Sequence, residues 1–150
     1  MEFAAGWSEW GLVGLFLASF LSATLLPFSS EAVLGAMALG EWSTASLLAV
    51  ATVGNTLGGL TNYAIGRWVP QEKLVRRLGM DPTKAEGWQR FAQRYGAWGA
   101  LACWLPVIGD PIALALGLFR TPLIATAVLM FLGKAVRYLV VLSIMRGLLA

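Results

Sequence analysis

Four ionisable residues lie inside apolar stretches of the sequence and are the first candidates for chemistry: Glu31, Asp110, Lys134 and Arg137. Ionisable side chains at membrane depth are costly unless paired or hydrated, so they usually mark a substrate or proton pathway. Lys134 and Arg137 share one helix face, and Tyr138 lies one turn beyond Lys134. Two cations on one face suit an anionic headgroup or a pair of carboxylates. The alternative is structural: acid–base pairs that only hold helices together.

Other kinds of reaction chemistry have little support in the sequence. It contains no His, so the usual metal sites and His-based hydrolytic sites are missing. The single cysteine, Cys103, lies in an apolar stretch and predicts core packing. Intramembrane aspartyl proteases also pair two acids, but the segment 107–110, Val-Ile-Gly-Asp, lacks the first glycine of their G-x-G-D pattern. We therefore predict no enzyme, no metal and no cofactor.

The elements that must position these residues are membrane helices. Hydrophobic residues make up 58% of the chain and charged residues 13%, with a mean hydropathy of +0.71, unlike an ordinary soluble domain. A full span takes about 20 residues, which leaves room for one compact bundle. We expect an all-α, polytopic membrane protein, a single domain over 1–150 with two or more full transmembrane helices.

Two apolar regions are interrupted and cannot be simple spans. Region 11–40 is broken by a proline followed by Ser-Ser-Glu, and its second arm is too short to cross about 30 Å of hydrocarbon. Region 96–119 is broken by Leu-Pro-Val-Ile-Gly-Asp-Pro at 105–111, and both of its arms are too short to span alone. We predict a re-entrant hairpin at each break, with one kinked span as the alternative for 96–119. The predicted hairpin breaks are Pro27, Pro106, Gly109 and Pro111.

Two further segments, 46–65 and 123–144, are long enough to span the membrane. The second carries Lys134 and Arg137 in its interior. The first carries small and polar residues at helical spacing, of which the glycines predict close helix packing and the asparagines are candidates to face the site. These residues are Gly54 and Gly58, then Asn55 and Asn62.

The two broken regions match in register. A shift that places Pro27 on Pro106 also places Glu31 on Asp110 without a gap, which predicts an internal repeat. If each repeat is a hairpin plus one span, the copies are inverted in the membrane, as in many transporters. The hairpin tips then bring Glu31 and Asp110 toward one another. Repeat 1 covers about 11–67, a connector 68–95, and repeat 2 about 96–146.

Basic residues are concentrated in the middle of the chain. No Lys or Arg precedes Arg67, and most basic residues lie between Arg67 and Arg120. By the positive-inside rule the 67–95 connector is cytoplasmic and the N-terminus periplasmic. A short amphipathic helix is expected around 86–94. In a chain this apolar, the basic run indicates a loop facing lipid headgroups and no nucleic-acid binding.

Four ordered segments resemble the small YqaA-type branch of the DedA family, within the VTT or SNARE-associated Golgi protein superfamily. They are LPFSSE (26–31), GNTLGGLTNYAIGR (54–67), RYGAWGALACWLPVIGDP (94–111) and GKAVRY (133–138). The resemblance covers nearly the whole chain. It implies a bacterial inner-membrane protein with two facing re-entrant hairpins, which moves lipids such as phospholipids or polyprenyl phosphates between leaflets. Glu31 matches the family's acidic position in the first hairpin, whereas the arginines that larger members carry in the second hairpin are missing here.

The combined expectation is a lipid flippase or scramblase whose headgroup path runs near the four ionisable residues. Because burial and a nearby cation act oppositely on a carboxylate's proton affinity, Glu31 or Asp110 is a candidate for proton coupling. The alternatives are a proton-coupled transporter of small solutes or ions, which the same architecture would serve, and a non-transporting assembly or scaffold protein. A homodimer is permitted by the small-residue stripe.

Overall fold

The computed structural model describes residues 2–24, 30–105 and 108–147, with side chains from residue 10 onward. All regular structure in these ranges is helical, so the all-α class is confirmed. The α-helices are α1 (Glu2–Ser22), α2 (Ser30–Ala38), α3 (Thr44–Trp68), α4 (Gln71–Arg77), α5 (Pro82–Tyr95), α6 (Gly109–Leu118) and α7 (Leu123–Gly147), and a 3-10 helix covers Gly96–Trp104.

Each interrupted region forms two helices, and the first of them, α1, begins at Glu2, ahead of the region's predicted start at residue 11. The first gives α1 and α2, and the second gives the 3-10 helix and α6. Gly109 lies at the start of α6, where a Cβ atom would come 2.5 Å from the carbonyl oxygen of Cys103. The missing side chain therefore lets α6 pack back against the 3-10 helix. Pro27 and Pro106 lie outside the described residues, and the re-entrant path through a bilayer stays a prediction.

Three helices reach the roughly 20 residues of a span: α1, with 21 residues, and the longer α3 and α7. α3 and α7 each contain 25 residues, or about 37 Å at 1.5 Å per residue. Within the described ranges only α7 is also apolar enough over that length to cross a membrane by composition, and shorter apolar helices lie at Trp10–Ser22 and Gly109–Leu118. The predicted second full span stays a prediction, because asparagines, threonines and glycines lower the hydropathy of α3.

The connector contains the amphipathic helix that the sequence predicts, α5, and before it a helix that the sequence analysis did not predict, α4. Asp81 caps α5 by accepting a hydrogen bond from the Thr83 amide at 3.1 Å, and Pro82 occupies the first turn. Gly79, with a φ of +62°, ends α4 in a Schellman motif, in which its own amide and that of Met80 bond back to Arg76 and Val75. The amphipathic helix expected around 86–94 is thus α5, extended at its start.

Contacts divide the chain into two compact units, to both of which α3 and α7 contribute. The first unit comprises 1–58 and 134–150, with a core that includes Leu15, Leu34, Leu47 and Leu142. Cβ atoms at Gly54 and Gly58 would lie 2.7 and 2.5 Å from main-chain oxygens of α1. The glycines thus serve close packing of α3 on α1, as predicted.

The second unit comprises 59–133, and its core is formed by Tyr63, Ala100, Cys103, Ala113, Leu116 and Met130. The core position of Cys103 is as predicted. Here α3 and α6 cross with their main chains in contact, because Gly66 faces the carbonyl oxygen of Leu114 and Gly117 faces that of Tyr63. Any larger residue at this crossing would separate the two helices.

The 3-10 helix is unusually long and divides its side chains with a period of three. Ala97, Ala100 and Cys103 are buried, whereas the large side chains one position further along are exposed. Eclipsed side chains at i and i+3 are the geometry of a 3-10 helix. Its small face receives Gly133 of α7, where a Cβ atom would lie 2.8 Å from the carbonyl oxygen of Leu101.

Candidate functional site: a polar cluster on α7

An ion pair joins α7 to the first turn of α2 inside the first unit. Arg137 donates a hydrogen bond to the Glu31 carboxylate, and their side chains are 16% and 30% exposed. The Arg137 guanidinium also lies over the Tyr138 ring, 5.6 Å from its centroid, as in a cation–π contact. Glu31 is the more accessible partner of the two.

Tyr138 of α7 forms a second contact with the start of α2. Its hydroxyl hydrogen-bonds the Ser30 hydroxyl at 2.7 Å, and both residues are buried. Because Ser30 immediately precedes Glu31, this bond fixes the main chain that carries the carboxylate. Tyr138 is therefore a positioning residue for the ion pair.

A second link joins α7 to α3 through a buried ammonium group. Lys134 is 1% exposed and donates to both the main-chain oxygen of Asn55, at 2.8 Å, and its side-chain oxygen. The amide nitrogen of Asn55 in turn donates to the Ser19 carbonyl and the Ser22 hydroxyl of α1, each at 3.0 Å. Asn55 therefore passes the contact with Lys134 on to a third helix.

Buried hydroxyls around this link remain available for hydrogen bonds. Among the described residues, the hydroxyls of Ser19, Thr52 and Thr56 have no hydrogen-bond partner. Thr52 and Thr56 are one helical turn apart on α3, and Asn55 lies between them on the same side. A buried hydroxyl without a partner is unfavourable, so this region favours water or a polar ligand group.

The charged pair lies at membrane depth if α7 spans the bilayer. Ala135 is the middle residue of α7, so Lys134 and Arg137 lie within about 3 Å of its midpoint along the helix axis. Buried residues recur at every fourth position of α7, and large apolar residues form an exposed stripe on another face. The buried set is Thr126, Met130, Lys134, Tyr138 and Leu142, and the exposed set includes Val128, Leu132, Val136, Val140 and Ile144.

The remaining predicted site residues belong to the second unit. Asp110 is the second residue of α6, just as Glu31 is the second residue of α2. Gly109 and Pro111 flank Asp110 in the same turn, and Asn62 is half-buried on α3. The expected approach of Glu31 to Asp110, and of Asn62 to the site, stay predictions.

A second hydrogen-bonded network was not anticipated from the sequence. Tyr63, buried in the second unit, donates to the Thr121 carbonyl oxygen and accepts from Arg67 at 2.8 Å. The Thr121 hydroxyl forms a hydrogen bond with the Thr126 hydroxyl at 2.8 Å and donates to the Leu116 carbonyl oxygen at 3.2 Å. The signal available was the spacing of Tyr63 and Arg67, which share one helix face.

Ligand-binding features elsewhere are limited. In the ranges 2–24, 30–105 and 108–147, no three His, Cys, Asp or Glu residues lie close enough together to hold a metal ion. A cleft of about 430 Å³ lies between α4 and α5 in the second unit, lined by Gln71, Glu72, Arg76, Glu86 and Gln89 among others. The polar cluster on α7 remains the candidate site because its ionisable groups are buried or half-buried and are hydrogen-bonded to one another or to Asn55.

A 25-residue apolar helix with a charged pair and a buried lysine near its middle fits a helical membrane protein, and the comparisons with known proteins agree. The model of the VTT domain family matches residues 26–147, and the chain belongs to that family, the DedA family of membrane proteins. The chain is 46% identical over 131 residues to "Inner membrane protein YqaA" of Escherichia coli and of Shigella flexneri, covering 87% of each chain.

A further relative is described only as an uncharacterized protein of Haemophilus influenzae. It is 38% identical over 146 residues, which cover 91% of the present chain and 88% of the relative. No solved structure matches the chain. The predicted family resemblance is thereby confirmed.

Proposed function

We propose that this chain is a lipid transporter of the flippase or scramblase type, and that a lipid headgroup crosses the bilayer along the polar cluster on α7. The observation that carries the proposal is the Arg137–Glu31 pair near the midpoint of α7. An intramembrane charge is costly and usually marks a pathway. A charged headgroup needs such a polar path, whereas acyl chains do not.

The two faces of α7 favour a lipid over a small solute. One face carries Lys134 and Tyr138, and another exposes a stripe of valines and leucines suited to hydrocarbon. A lipid can therefore hold its headgroup at the polar cluster while its chains stay in the bilayer. The cation of Arg137 suits a phosphate, and Glu31 suits an amine, so phospholipid and polyprenyl phosphate headgroups are both candidates.

An inverted repeat is part of the same proposal. Glu31 and Asp110 occupy equivalent places in their helices. The same shift pairs Gly54 with Gly133, and each of these glycines faces a carbonyl oxygen in the first helix of its own repeat, α1 or the 3-10 helix. Asn55 and Lys134 are also paired by the shift. These correspondences support a duplication, and inversion would place the path near the membrane midplane.

The membrane orientation follows from charge. The relative in Escherichia coli is named an inner membrane protein, which supports a bacterial inner-membrane location here. The positive-inside rule then puts the 67–95 connector in the cytoplasm and the N-terminus in the periplasm. A homodimer, proton coupling at Glu31 or Asp110, and the absence of enzymatic activity remain parts of the proposal.

Reconstitution separates the proposed function from its alternatives. Purified protein is placed in liposomes with a trace of fluorescent headgroup-labelled lipid, and a membrane-impermeant reductant bleaches the outer leaflet. If the protein moves lipids between leaflets, the reductant bleaches well beyond half of the label, because inner-leaflet lipids reach the outer leaflet. Uptake of a solute driven by a proton gradient, with no lipid exchange, would support the small-solute alternative. Neither activity, in liposomes holding folded protein, would support a scaffold role and contradict the proposal.

A further inference from the structure

Helix α5 exposes a ladder of aromatic side chains. Trp88, Phe91 and Tyr95 are 57%, 57% and 49% exposed, and their spacing places them on one side of the helix. They contact one another in sequence, with ring centroids 6.2 Å apart for Trp88 and Phe91 and 5.3 Å for Phe91 and Tyr95. Only Ala92 of α5 is buried. This aromatic ladder is therefore an apolar surface that the second unit leaves uncovered.

Basic residues surround the aromatic ladder. Arg94 lies over the Tyr95 ring at 5.5 Å, and Lys84 and Arg90 of α5 are exposed. The preceding helix α4 adds exposed Lys73, Arg76 and Arg77, so that basic residues outnumber acidic ones across both helices. Tryptophan and tyrosine beside basic residues are characteristic of the boundary between hydrocarbon and headgroups.

The charge identifies the surface that covers the ladder. A helix with an aromatic face and a basic flank binds in the plane of a bilayer that carries anionic lipids. The connector belongs to a membrane protein whose α3 ends at Trp68, two residues before Pro70 introduces α4, so the leaflet surface is within reach of α5. A docking protein would need complementary acidic and apolar groups, whereas the bilayer is already present.

We propose that α5 is an interfacial anchor: Trp88, Phe91 and Tyr95 insert into the anionic leaflet next to the connector, and Arg90 and Arg94 bind lipid phosphates. Insertion to about 5–10 Å below the headgroups is typical of such helices. The anchor fixes the connector against the membrane surface, and it does not depend on whether the protein moves lipids.

The test uses the full-length protein with single cysteines. Cys103 is buried and is the one cysteine of the sequence, so Cys103→Ala gives a clean background. Phe91→Cys places a nitroxide label on the ladder, and Gln93→Cys places one about half a turn away on the exposed polar side. Both variants are reconstituted in vesicles of phosphatidylcholine with phosphatidylglycerol, and the label's accessibility to oxygen and to a water-soluble nickel chelate is measured.

The proposal predicts that the oxygen-to-nickel accessibility ratio is several-fold higher at position 91 than at position 93. Equal ratios at the two positions would contradict it. Protection of position 91 from both reagents would contradict it too, since that result indicates a protein partner or a second copy.

A second measurement avoids the label. Brominated phosphatidylcholine, mixed with phosphatidylglycerol, should quench the native fluorescence more than it quenches that of Trp88→Phe, because the Trp88 indole lies beside the bromines. The difference between the two emission intensities is the contribution of Trp88, and a contribution that the brominated lipid does not quench would overturn the anchor.

Discussion

Asn55 and Lys134 lie 79 residues apart in the sequence and are hydrogen-bonded to each other, with the Lys134 ammonium bound to both oxygens of Asn55. The same separation relates Glu31 to Asp110. In the proposed repeat, these two equivalent positions hold a donor and an acceptor that complement each other. Two lysines would repel at this place, and two asparagines would leave no charge beside the proposed headgroup path.

Asn55→Ala should destabilise the first unit. The change removes the side-chain acceptor of Lys134 and both hydrogen bonds that the Asn55 amide donates to α1. A hydrogen bond to a charged group contributes about 1.5–3 kcal/mol. We expect the free energy of unfolding in detergent, measured by titration with a denaturing detergent, to fall by roughly 2–3 kcal/mol. Val53→Ala, at an exposed position of the same helix, is the control, and an equal loss in both variants would contradict the role of Asn55.

Gly58→Ala should separate α1 from α3. The added methyl group would lie 2.5 Å from the Phe20 carbonyl oxygen and 2.7 Å from the Ala23 Cβ, so the main chains must move apart at a cost of about 1–3 kcal/mol. Gly14→Ala, where nothing lies within 4 Å, is the matched control and should be neutral or slightly stabilising. The thermal unfolding midpoints of the two variants test this, and a tolerated alanine at Gly58 would show that the packing is looser than described.

Tyr138→Phe should impair transport more than stability. The variant loses the 2.7 Å bond to Ser30 but keeps its ring, so the unfolding free energy should change by about 1 kcal/mol. Ser30→Ala should reproduce the transport defect, and the double variant should be no worse than either single one, because both remove one contact. Additive transport losses would mean that the two hydroxyls act separately.

Arg120→Gly should stabilise the turn between α6 and α7. Arg120 has a φ of +53° and occupies the position of a Schellman motif that normally favours glycine, with its amide bonded to Gly117 and that of Thr121 to Leu116. Removing the side chain should raise the unfolding free energy by up to about 1 kcal/mol. Gly79→Ala, at the equivalent turn after α4, should lower it by a similar amount, and thermal unfolding of both variants decides.

The sequence predicted the helical class, the two interruptions and the amphipathic helix α5, because these depend on local chemistry, but it did not predict α4. Proline in a helix interior removes a backbone hydrogen bond, whereas Asp81 followed by Pro82 favours the start of a helix. The glycine packing on α3 was also predictable from spacing. It was not predictable that Gly54 and Gly58 face α1, because a small-residue stripe packs equally well on any neighbouring helix.

Several residues of the polar cluster were candidates from the sequence, but their pairing was not predicted, and the placement of Asp110 and Asn62 at the site stays a prediction. Lys134 and Arg137 share a face of α7, and from the sequence alone either cation could pair with Glu31 or with Asp110. Arg137 pairs with Glu31 because of where the first turn of α2 lies. The hydrogen bond between Tyr138 and Ser30 helps to position that turn. The buried, unpartnered state of the Ser19, Thr52 and Thr56 hydroxyls was not predictable, because serines and threonines in apolar helices usually hydrogen-bond to their own main chain.

Lipid exchange in vesicles that hold Glu31→Gln, Arg137→Gln or both tests the central claim most directly. Each single variant leaves one charge at membrane depth without its partner, so the exchange rate per folded protein should fall about tenfold or more, the equivalent of ~1.4 kcal/mol. The double variant should show no further loss, and Glu41→Gln, which removes an exposed acid, should exchange lipid at the unchanged rate. Undiminished exchange in both single variants would contradict a headgroup path along the polar cluster on α7.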